Sequence, residues 1–292
     1  MRVSWVGQAR RVASIAALVV AVGSVAPLAS GGSASAAPTW APSSSAAIHP
    51  GVQLFTAGAQ CTANFIYYDG TTVYIGQAAH CSGTGGNTET NGCTSGSLPV
   101  GTQVQVSGAS QPGVMVYNSW LTMQGLGEKD ANTCQYNDLA LVRLDPADVS
   151  KVNPSVPHWG GPVGLQANGT TPGEKVYSYG NSELRGGVSQ TSPKQGTSQG
   201  DTGAGWSHTV LTYNPGIPGD SGSGFLDATG NALGVLSTID VGVPSGVTNG
   251  VGDLSHELAY MHAHSSFGAV QLVLGTDAFN AGTLPVGLLS LL

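Results

Sequence analysis

Charged residues are scarce in this chain of 292 residues. Lys, Arg, Asp and Glu make up only 9% of it, and the formal net charge is −7 at pH 7. Disordered chains combine low hydrophobicity with high net charge, whereas 40% of the residues here are hydrophobic. No Lys/Arg cluster follows the N-terminal region, which argues against nucleic acid as a partner. The composition therefore predicts one large folded domain or two small ones.

Long apolar runs are also missing. The run from Val12 to Val22 is shorter than the roughly 20 residues that span a bilayer. Arg2, Arg10 and Arg11 precede this run, and small residues follow it at 33–37, which is the pattern of an export signal. We therefore predict a signal peptide over residues 1–36, secretion, and no membrane association once the signal is removed.

Cysteine is rare, but its number is even. An even number in an exported chain predicts two disulfides, with three possible pairings. One of these would join the first two cysteines and the last two, closing loops of about 20 and 40 residues, each worth roughly 3 to 4 kcal/mol in the chain-entropy model. No C-x-x-C pair occurs, so the spacing gives no zinc signature, and we predict no metal and no other cofactor. The four residues are Cys61, Cys81, Cys93 and Cys134.

Short apolar or alternating segments, broken by Gly, Asn, Ser and Pro, run from Gly51 onward. Examples are CTANFIYY, TVYIGQ, LALVRL and HTVLTY, and their spacing predicts an all-β sandwich or barrel. The polar, turn-rich segment 181–207 is predicted to be an exposed loop pair. LSHELAYMHAH has apolar residues at helical spacing, and Asp253 or Ser255 would cap this helix.

The predicted boundaries follow the changes in composition along the chain. Residues 145–173 contain five prolines and little periodicity, which is typical of a connection between two β units. The tail after His264 contains AVQLVLG, which would either add a strand or pack on a barrel. We predict a signal peptide (1–36), a short N-terminal segment (37–50), a first barrel (51–150), a connection (151–173), a second barrel with a helix (174–264) and a tail (265–292).

Three motifs each contain a residue type that acyl transfer requires. Ser221 lies in PGDSGSGF, His80 in GQAAHC and Asp138 in YNDLALVRL. A hydroxyl nucleophile needs an imidazole to accept its proton and a carboxylate to orient that imidazole. Taken alone, each residue has a simpler structural explanation: Ser221 as a loop serine, His80 as a surface histidine and Asp138 as an aspartate in the turn before a strand. The three motifs together are far more specific than any one of them.

These motifs resemble those of the chymotrypsin-like (trypsin-fold) serine peptidases, particularly the secreted bacterial branch. The order His80, Asp138, Ser221 is the family's order, and CTANFIYYDGTTVYIGQAAHC resembles the segment that ends at the catalytic histidine. The resemblance implies a disulfide between Cys61 and Cys81. It also implies an all-β fold of two perpendicular six-stranded antiparallel barrels with a short C-terminal helix. We expect a monomer.

The resemblance also implies a role for each motif residue. Ser221 would attack the scissile carbonyl, His80 would transfer the proton, and Asp138 would orient His80. Backbone N–H groups of Gly219 and Ser221 would form the oxyanion hole. Asp220 would need a cationic partner if it is buried, and we favour Arg185 for this partner over a newly cut N-terminal amine.

The substrate would be a polypeptide in an extended conformation. The backbone of Ser237, Thr238 and Ile239 would pair with it by β-strand addition, and Ser237 would approach the catalytic aspartate. By the resemblance, Pro215 occupies the position that often forms the floor of the specificity pocket in the family, where an acidic residue would favour Arg or Lys substrates. We therefore predict cleavage after apolar or small side chains. Ile217 stands where vertebrate relatives have a cysteine, so packing alone would hold the pocket wall.

Other functions fit the sequence less well. A catalytically inactive binding protein on the same fold is the main alternative, although such proteins usually lack a triad member. An α/β-hydrolase using Ser221, Asp253 and His256 would need G-x-S-x-G, but Ser223 replaces the second glycine. The histidines near the end of the predicted helix suggest a solvated face, because H-x-H points its two rings to different faces. These histidines are His256, His262 and His264.

Overall fold

The computed structural model describes residues 38–86, 89–242 and 246–284. The predicted signal peptide lies outside these residues and stays a prediction. No helix in the described part of the chain is long and apolar enough to cross a membrane. The described residues form three α-helices, α1 (Ser119–Leu126), α2 (Ala131–Tyr136) and α3 (Leu254–His264).

The N-terminal half forms a curled antiparallel sheet. The strands are β1 (Gln53–Thr56), β2 (Ala59–Thr62), β3 (Ile66–Tyr68), β4 (Val73–Ala78), β5 (Gln103–Val106), β6 (Gly113–Asn118) and β7 (Leu139–Arg143). They are arranged in the order β3-β4-β7-β6-β5-β1-β2. Because β2 and β3 are consecutive in the chain, both ends of this order belong to one continuous segment, and the sheet curls into a half-barrel.

Asn64 interrupts that continuous segment. Its side-chain oxygen accepts hydrogen bonds from the Phe65 N–H (2.7 Å) and the Tyr67 hydroxyl (3.0 Å). The Phe65 N–H is thus bonded locally, and one expected strand is divided into β2 and β3. A strand from the tail, β14 (Gln271–Leu272), pairs with β3, so AVQLVLG adds a strand. The sheet therefore has eight strands instead of the six expected.

The C-terminal half is a closed antiparallel barrel of six strands in the order β10-β13-β12-β11-β8-β9. Part of the segment expected to be exposed loops forms one of these strands, because alternate residues between 193 and 198 face the barrel interior. The strands are β8 (Lys175–Tyr179), β9 (Pro193–Thr202), β10 (Ser207–Thr212), β11 (Gly224–Leu226), β12 (Ala232–Gly242) and β13 (Gly246–Asp253).

Two disulfides join Cys61 to Cys81 and Cys93 to Cys134. The first links β2 to the 3₁₀ turn Ala79–Ser82 that follows β4, as the resemblance implied. Disulfides of this kind are typical of exported proteins.

The helix α3 begins where the sequence predicted. The Asp253 carboxylate accepts a hydrogen bond from the His256 N–H (2.8 Å), so Asp253, and not Ser255, is the N-cap. Leu254, Leu258 and Met261 are buried on one face of the helix, which confirms the expected periodicity.

His208 connects this helix cap to the barrel. It is fully buried, and its Nδ1 lies 2.7 Å from Asp201 Oδ1 while its Nε2 lies 3.0 Å from Asp253 Oδ2. Only the doubly protonated ring can donate to both carboxylates. Burial opposes the charge, but the hydrogen bonds and charges of Asp253 and Asp201 outweigh it and raise the pKa of His208.

This raised pKa predicts a pH-dependent contribution to stability. The contribution is complete below the unfolded-state pKa of about 6.5 and is lost as the pH rises through the higher folded-state pKa. His208→Gln should therefore destabilise the protein more at pH 6 than at pH 9, measured as the difference in Tm from the parent. His264→Gln, at an exposed position on α3, is the control. An equal loss at both pH values for His208→Gln would contradict the assignment.

Candidate active site

A cleft of about 530 Å³ is lined by residues of both barrels. It brings together most of the residues that the sequence singled out. Pro215 is not among the cleft's lining residues; its carbonyl accepts a hydrogen bond from the Arg185 side chain (2.9 Å). The predicted residues that do line the cleft are His80, Asp138, Gly219, Ser221, Ser237, Thr238 and Ile239.

The pairing of two strands places His80 beside Asp138. β4 pairs with β7 so that Ala78 faces Leu139, and His80 and Asp138 therefore lie at the same end of neighbouring strands. The two oxygens of the Asp138 carboxylate accept hydrogen bonds from the His80 backbone N–H (2.8 Å) and from His80 Nδ1 (2.6 Å). This arrangement fixes the ring orientation and leaves Nε2 as its proton acceptor.

The second barrel adds a third donor to the same carboxylate. The Ser237 hydroxyl, on β12, donates to Asp138 Oδ2 over 2.5 Å. Burial of the His80 ring opposes its protonation, but the charge and hydrogen bond of Asp138 outweigh this effect and raise the pKa of His80. His80 is therefore positioned as a base whose protonated form is stabilised.

The loop that carries Ser221 is held against the first barrel. The Ser221 carbonyl accepts a hydrogen bond from the Thr62 N–H (2.8 Å), and the Gly219 carbonyl accepts from the Thr62 hydroxyl (2.8 Å). Gly219 has φ +96°, a left-handed conformation in which a side chain would be strained, and a Cβ there would also meet the Gln60 side-chain oxygen. Only glycine fits this position without rearrangement.

Asp220, next to Ser221, is fully buried between two cations. Its Oδ2 lies 2.6 Å from Arg185 Nη2 and 2.9 Å from Lys194 Nζ. Burial alone would raise the pKa of Asp220, but Lys194 and Arg185 lower it below its usual value. Lys194 is also fully buried, and desolvation lowers its pKa to about 8. Arg185 is the partner that the sequence suggested, whereas Lys194 was not anticipated.

The two cations predict a non-additive loss of stability. Arg185→Met or Lys194→Met alone leaves Asp220 with one cation, so each should cost about 1.5–3 kcal/mol, the value of a charged hydrogen bond. The double variant should lose more than the sum of the two, because a buried carboxylate without a partner is strongly destabilising. Urea unfolding measures all three values. If the double variant is as stable as the less stable of the two single variants, Asp220 does not depend on these cations.

The buried side chain of Asn249 forms hydrogen bonds to two backbone segments in the wall of the cleft. The Asn249 side-chain oxygen accepts from the Gly216 N–H (2.7 Å), and its NH₂ donates to the carbonyls of Gly216 (3.2 Å) and Thr238 (3.1 Å). The expectation that packing alone holds this wall is therefore wrong, because hydrogen bonds from Asn249 join its two sides. Leu236 lies beside Gly216 and adds apolar surface to this part of the cleft.

A second unexpected residue lies behind Asp138. Glu257, on α3, is fully buried, and its Oε1 accepts a hydrogen bond from the Asp138 N–H (2.9 Å). Burial raises the pKa of Glu257 well above its usual value, which favours the neutral carboxylic acid. In that form the side chain supplies a hydrogen-bond acceptor without placing a second negative charge beside Asp138.

This neutral state predicts different outcomes for two substitutions. Glu257→Gln keeps an uncharged acceptor of nearly the same shape and should change stability by less than about 1 kcal/mol. Glu257→Leu leaves the buried Asp138 N–H without its acceptor and should cost about 1–3 kcal/mol. Chemical unfolding at pH 7 compares the two variants. A glutamine variant as unstable as the leucine variant would indicate that Glu257 is ionised in the folded protein.

One group of potential metal ligands lies at the cleft. The ligand atoms of Cys61, His80 and Cys81 all lie within 4.8 Å of one another. Both sulfurs belong to the same disulfide, so neither is a thiolate that could bind a metal. The group therefore does not alter the interpretation of His80 as a base.

Comparison with solved structures identifies the architecture. Protease A of Thermobifida fusca is similar over 79% of this chain and 100% of its own, with 20% identity and a TM-score of 0.51. The chain has the chymotrypsin fold. This confirms the fold class predicted from the sequence, with the first barrel altered by the division of one strand and the addition of β14.

Two further solved structures have lower TM-scores. Nocardiopsis protease (NAPase) is similar over 77% of this chain and 98% of its own, with 20% identity and a TM-score of 0.45. Cellulomonas bogoriensis chymotrypsin is similar over 78% of this chain and 98% of its own, with 17% identity and a TM-score of 0.44. No protein-family model and no curated protein matches the sequence.

Proposed function

We propose that the protein is a secreted serine endopeptidase that hydrolyses peptide bonds through an acyl-enzyme. The observation that carries this proposal is the Asp138 carboxylate, which is bonded to His80 and to Ser237 in a cleft that also contains Ser221. This arrangement supports proton transfer by His80 in the way that a serine nucleophile requires.

The proposed reaction has two halves. The Ser221 hydroxyl attacks the scissile carbonyl and passes its proton to His80 Nε2, and the oxyanion is stabilised by the N–H groups of Gly219 and Ser221. As the tetrahedral intermediate collapses, the C–N bond breaks and His80 protonates the leaving amine. Water then attacks the acyl-enzyme with His80 again as base, which releases the acid product and restores Ser221.

The substrate is proposed to be an extended polypeptide cleaved after an apolar or small side chain. Leu236, Gly216 and the hydrogen-bonded amide of Asn249 line the relevant part of the cleft, and none of these side chains is charged. The backbone of Ser237, Thr238 and Ile239 would pair with the substrate. Two disulfides support an oxidising compartment. We propose a monomer without a cofactor and without nucleic acid as a partner.

Labelling with a serine-directed organophosphate tests the nucleophile. When the folded protein is treated, we expect one adduct, which mass spectrometry should locate on Ser221. Protein that is denatured before treatment should acquire none. The labelling rate should increase with pH through the pKa of His80, which lies above the ordinary value of about 6.5, because only the neutral ring accepts the proton.

Matched variants make the result specific. Ser221→Ala and His80→Ala should abolish labelling, whereas Ser223→Ala, which removes a buried hydroxyl two residues away, should retain it. A folded protein that acquires no adduct on Ser221 at any pH from 6 to 9 would instead favour a catalytically inactive binding protein on this fold.

A further inference from the structure

The strand proposed to pair with substrate has a free edge that continues beyond the cleft. One edge of β12 pairs with β13 over the whole length from Gly234 to Gly242. The other edge pairs with β11 only between Ala232 and Val235. From Ser237 to Val241 this second edge has no strand neighbour among the described residues. The lining of the cleft ends at Ile239, so two further residues extend the edge.

Along β12 the backbone N–H and C=O groups of successive residues face the two edges of the strand in turn. Leu236 bonds through both its N–H and its C=O to the nucleophile loop, and the pairing register shifts between Leu236 and Thr238. The Thr238 carbonyl then accepts from the Asn249 side chain, which lies on the β13 side. Because N–H and C=O groups alternate along a strand, Ile239 and Val241 present theirs to the free edge.

The side chains along this edge are exposed and differ in character. Ile239 is 44% exposed and Val241 is 76% exposed, and the two-residue period places them on one face of the strand. Asp240 is exposed on the opposite face. An unpaired edge presents backbone N–H and C=O groups that can pair with another extended chain, so this edge can bind an extended peptide.

We propose that Ile239, Asp240 and Val241 form an extended subsite that binds the third, fourth and fifth substrate residues before the scissile bond. The inference rests on the proposed peptidase function. In antiparallel pairing the residues match one to one. Because Ser237 donates to Asp138 and so adjoins the proposed catalytic residues, we place the residue that carries the scissile carbonyl opposite Ser237. The fifth residue then exchanges two backbone hydrogen bonds with Val241.

The same register assigns a substrate class. Residues directly opposite each other on neighbouring antiparallel strands have their side chains in contact. The third and fifth substrate residues therefore meet Ile239 and Val241 and should be apolar. The fourth meets Asp240 and should be Lys or Arg. The preferred substrates are extended segments in which a basic residue lies between two apolar ones.

Peptides of increasing length test the backbone part of the proposal. With a constant leaving group, kcat/KM should increase at least about fivefold between substrates with three and five residues before the scissile bond, which corresponds to two modest hydrogen bonds. N-methylation of the fifth residue should remove most of this gain. N-methylation of the fourth residue, whose N–H faces away from β12, should leave the gain in kcat/KM unchanged. No gain beyond three residues, or equal effects of the two methylations, would overturn the proposal.

Charge exchange tests the assignment of Asp240. Lys should be preferred over Glu at the fourth position about two- to fivefold at low ionic strength, and Asp240→Lys should reverse this preference. Asp277→Lys is the control, because it makes the same change in net charge at an exposed position outside the cleft. An unchanged preference in Asp240→Lys would contradict the assignment.

Failure of this inference is distinguishable from failure of the proposed function. A protein that cleaves the three-residue substrate and is labelled at Ser221, but gains nothing from longer peptides, is a peptidase without the extended subsite. A protein that cleaves no peptide and is not labelled at Ser221 is not a peptidase under these conditions, and the extended subsite is then rejected with the function on which it rests.

Discussion

The site depends on the buried carboxylate of Asp138. It accepts two hydrogen bonds from His80 and one from Ser237, while its own backbone N–H donates to Glu257. These partners come from the turn after β4, from β12 in the second barrel and from α3. A buried charge is tolerated only when such partners are present. The partners of Asp138 therefore link both barrels and the C-terminal helix at this point.

A second buried carboxylate, Asp220, has the same role in the nucleophile loop. Arg185 and Lys194 neutralise it from within the second barrel, and Thr62 of the first barrel binds the adjoining backbone. Each carboxylate anchors one part of the proposed chemistry, His80 in one case and the Ser221 loop in the other. The cleft between them is thus defined by polar contacts, although apolar cores support both barrels.

The sequence predicted the parts of this arrangement that lie in local motifs. The all-β fold, the C-terminal helix with Asp253 as one of two possible caps and the proximity of Arg185 to Asp220 could be foreseen, as could a disulfide between Cys61 and Cys81. Residues whose role depends on burial could not. Lys194, Glu257, Asn249 and His208 are polar residues that the sequence does not distinguish from solvated surface residues until distant strands pack around them. The division of one strand at Asn64 was also hidden, because a side chain there replaces a ladder hydrogen bond.

The most direct test of the central claim is pre-steady-state kinetics with a chromogenic ester of an apolar acyl group. Formation of an acyl-enzyme on Ser221 predicts a burst of released leaving group equal to one equivalent per protein molecule, followed by slower turnover. The burst should be absent in Ser221→Ala and greatly slowed in Asp138→Asn, in which His80 is held in the wrong tautomer. Release without a burst, at a rate unaffected by either substitution, would contradict the assignment of Ser221, His80 and Asp138 as a catalytic unit.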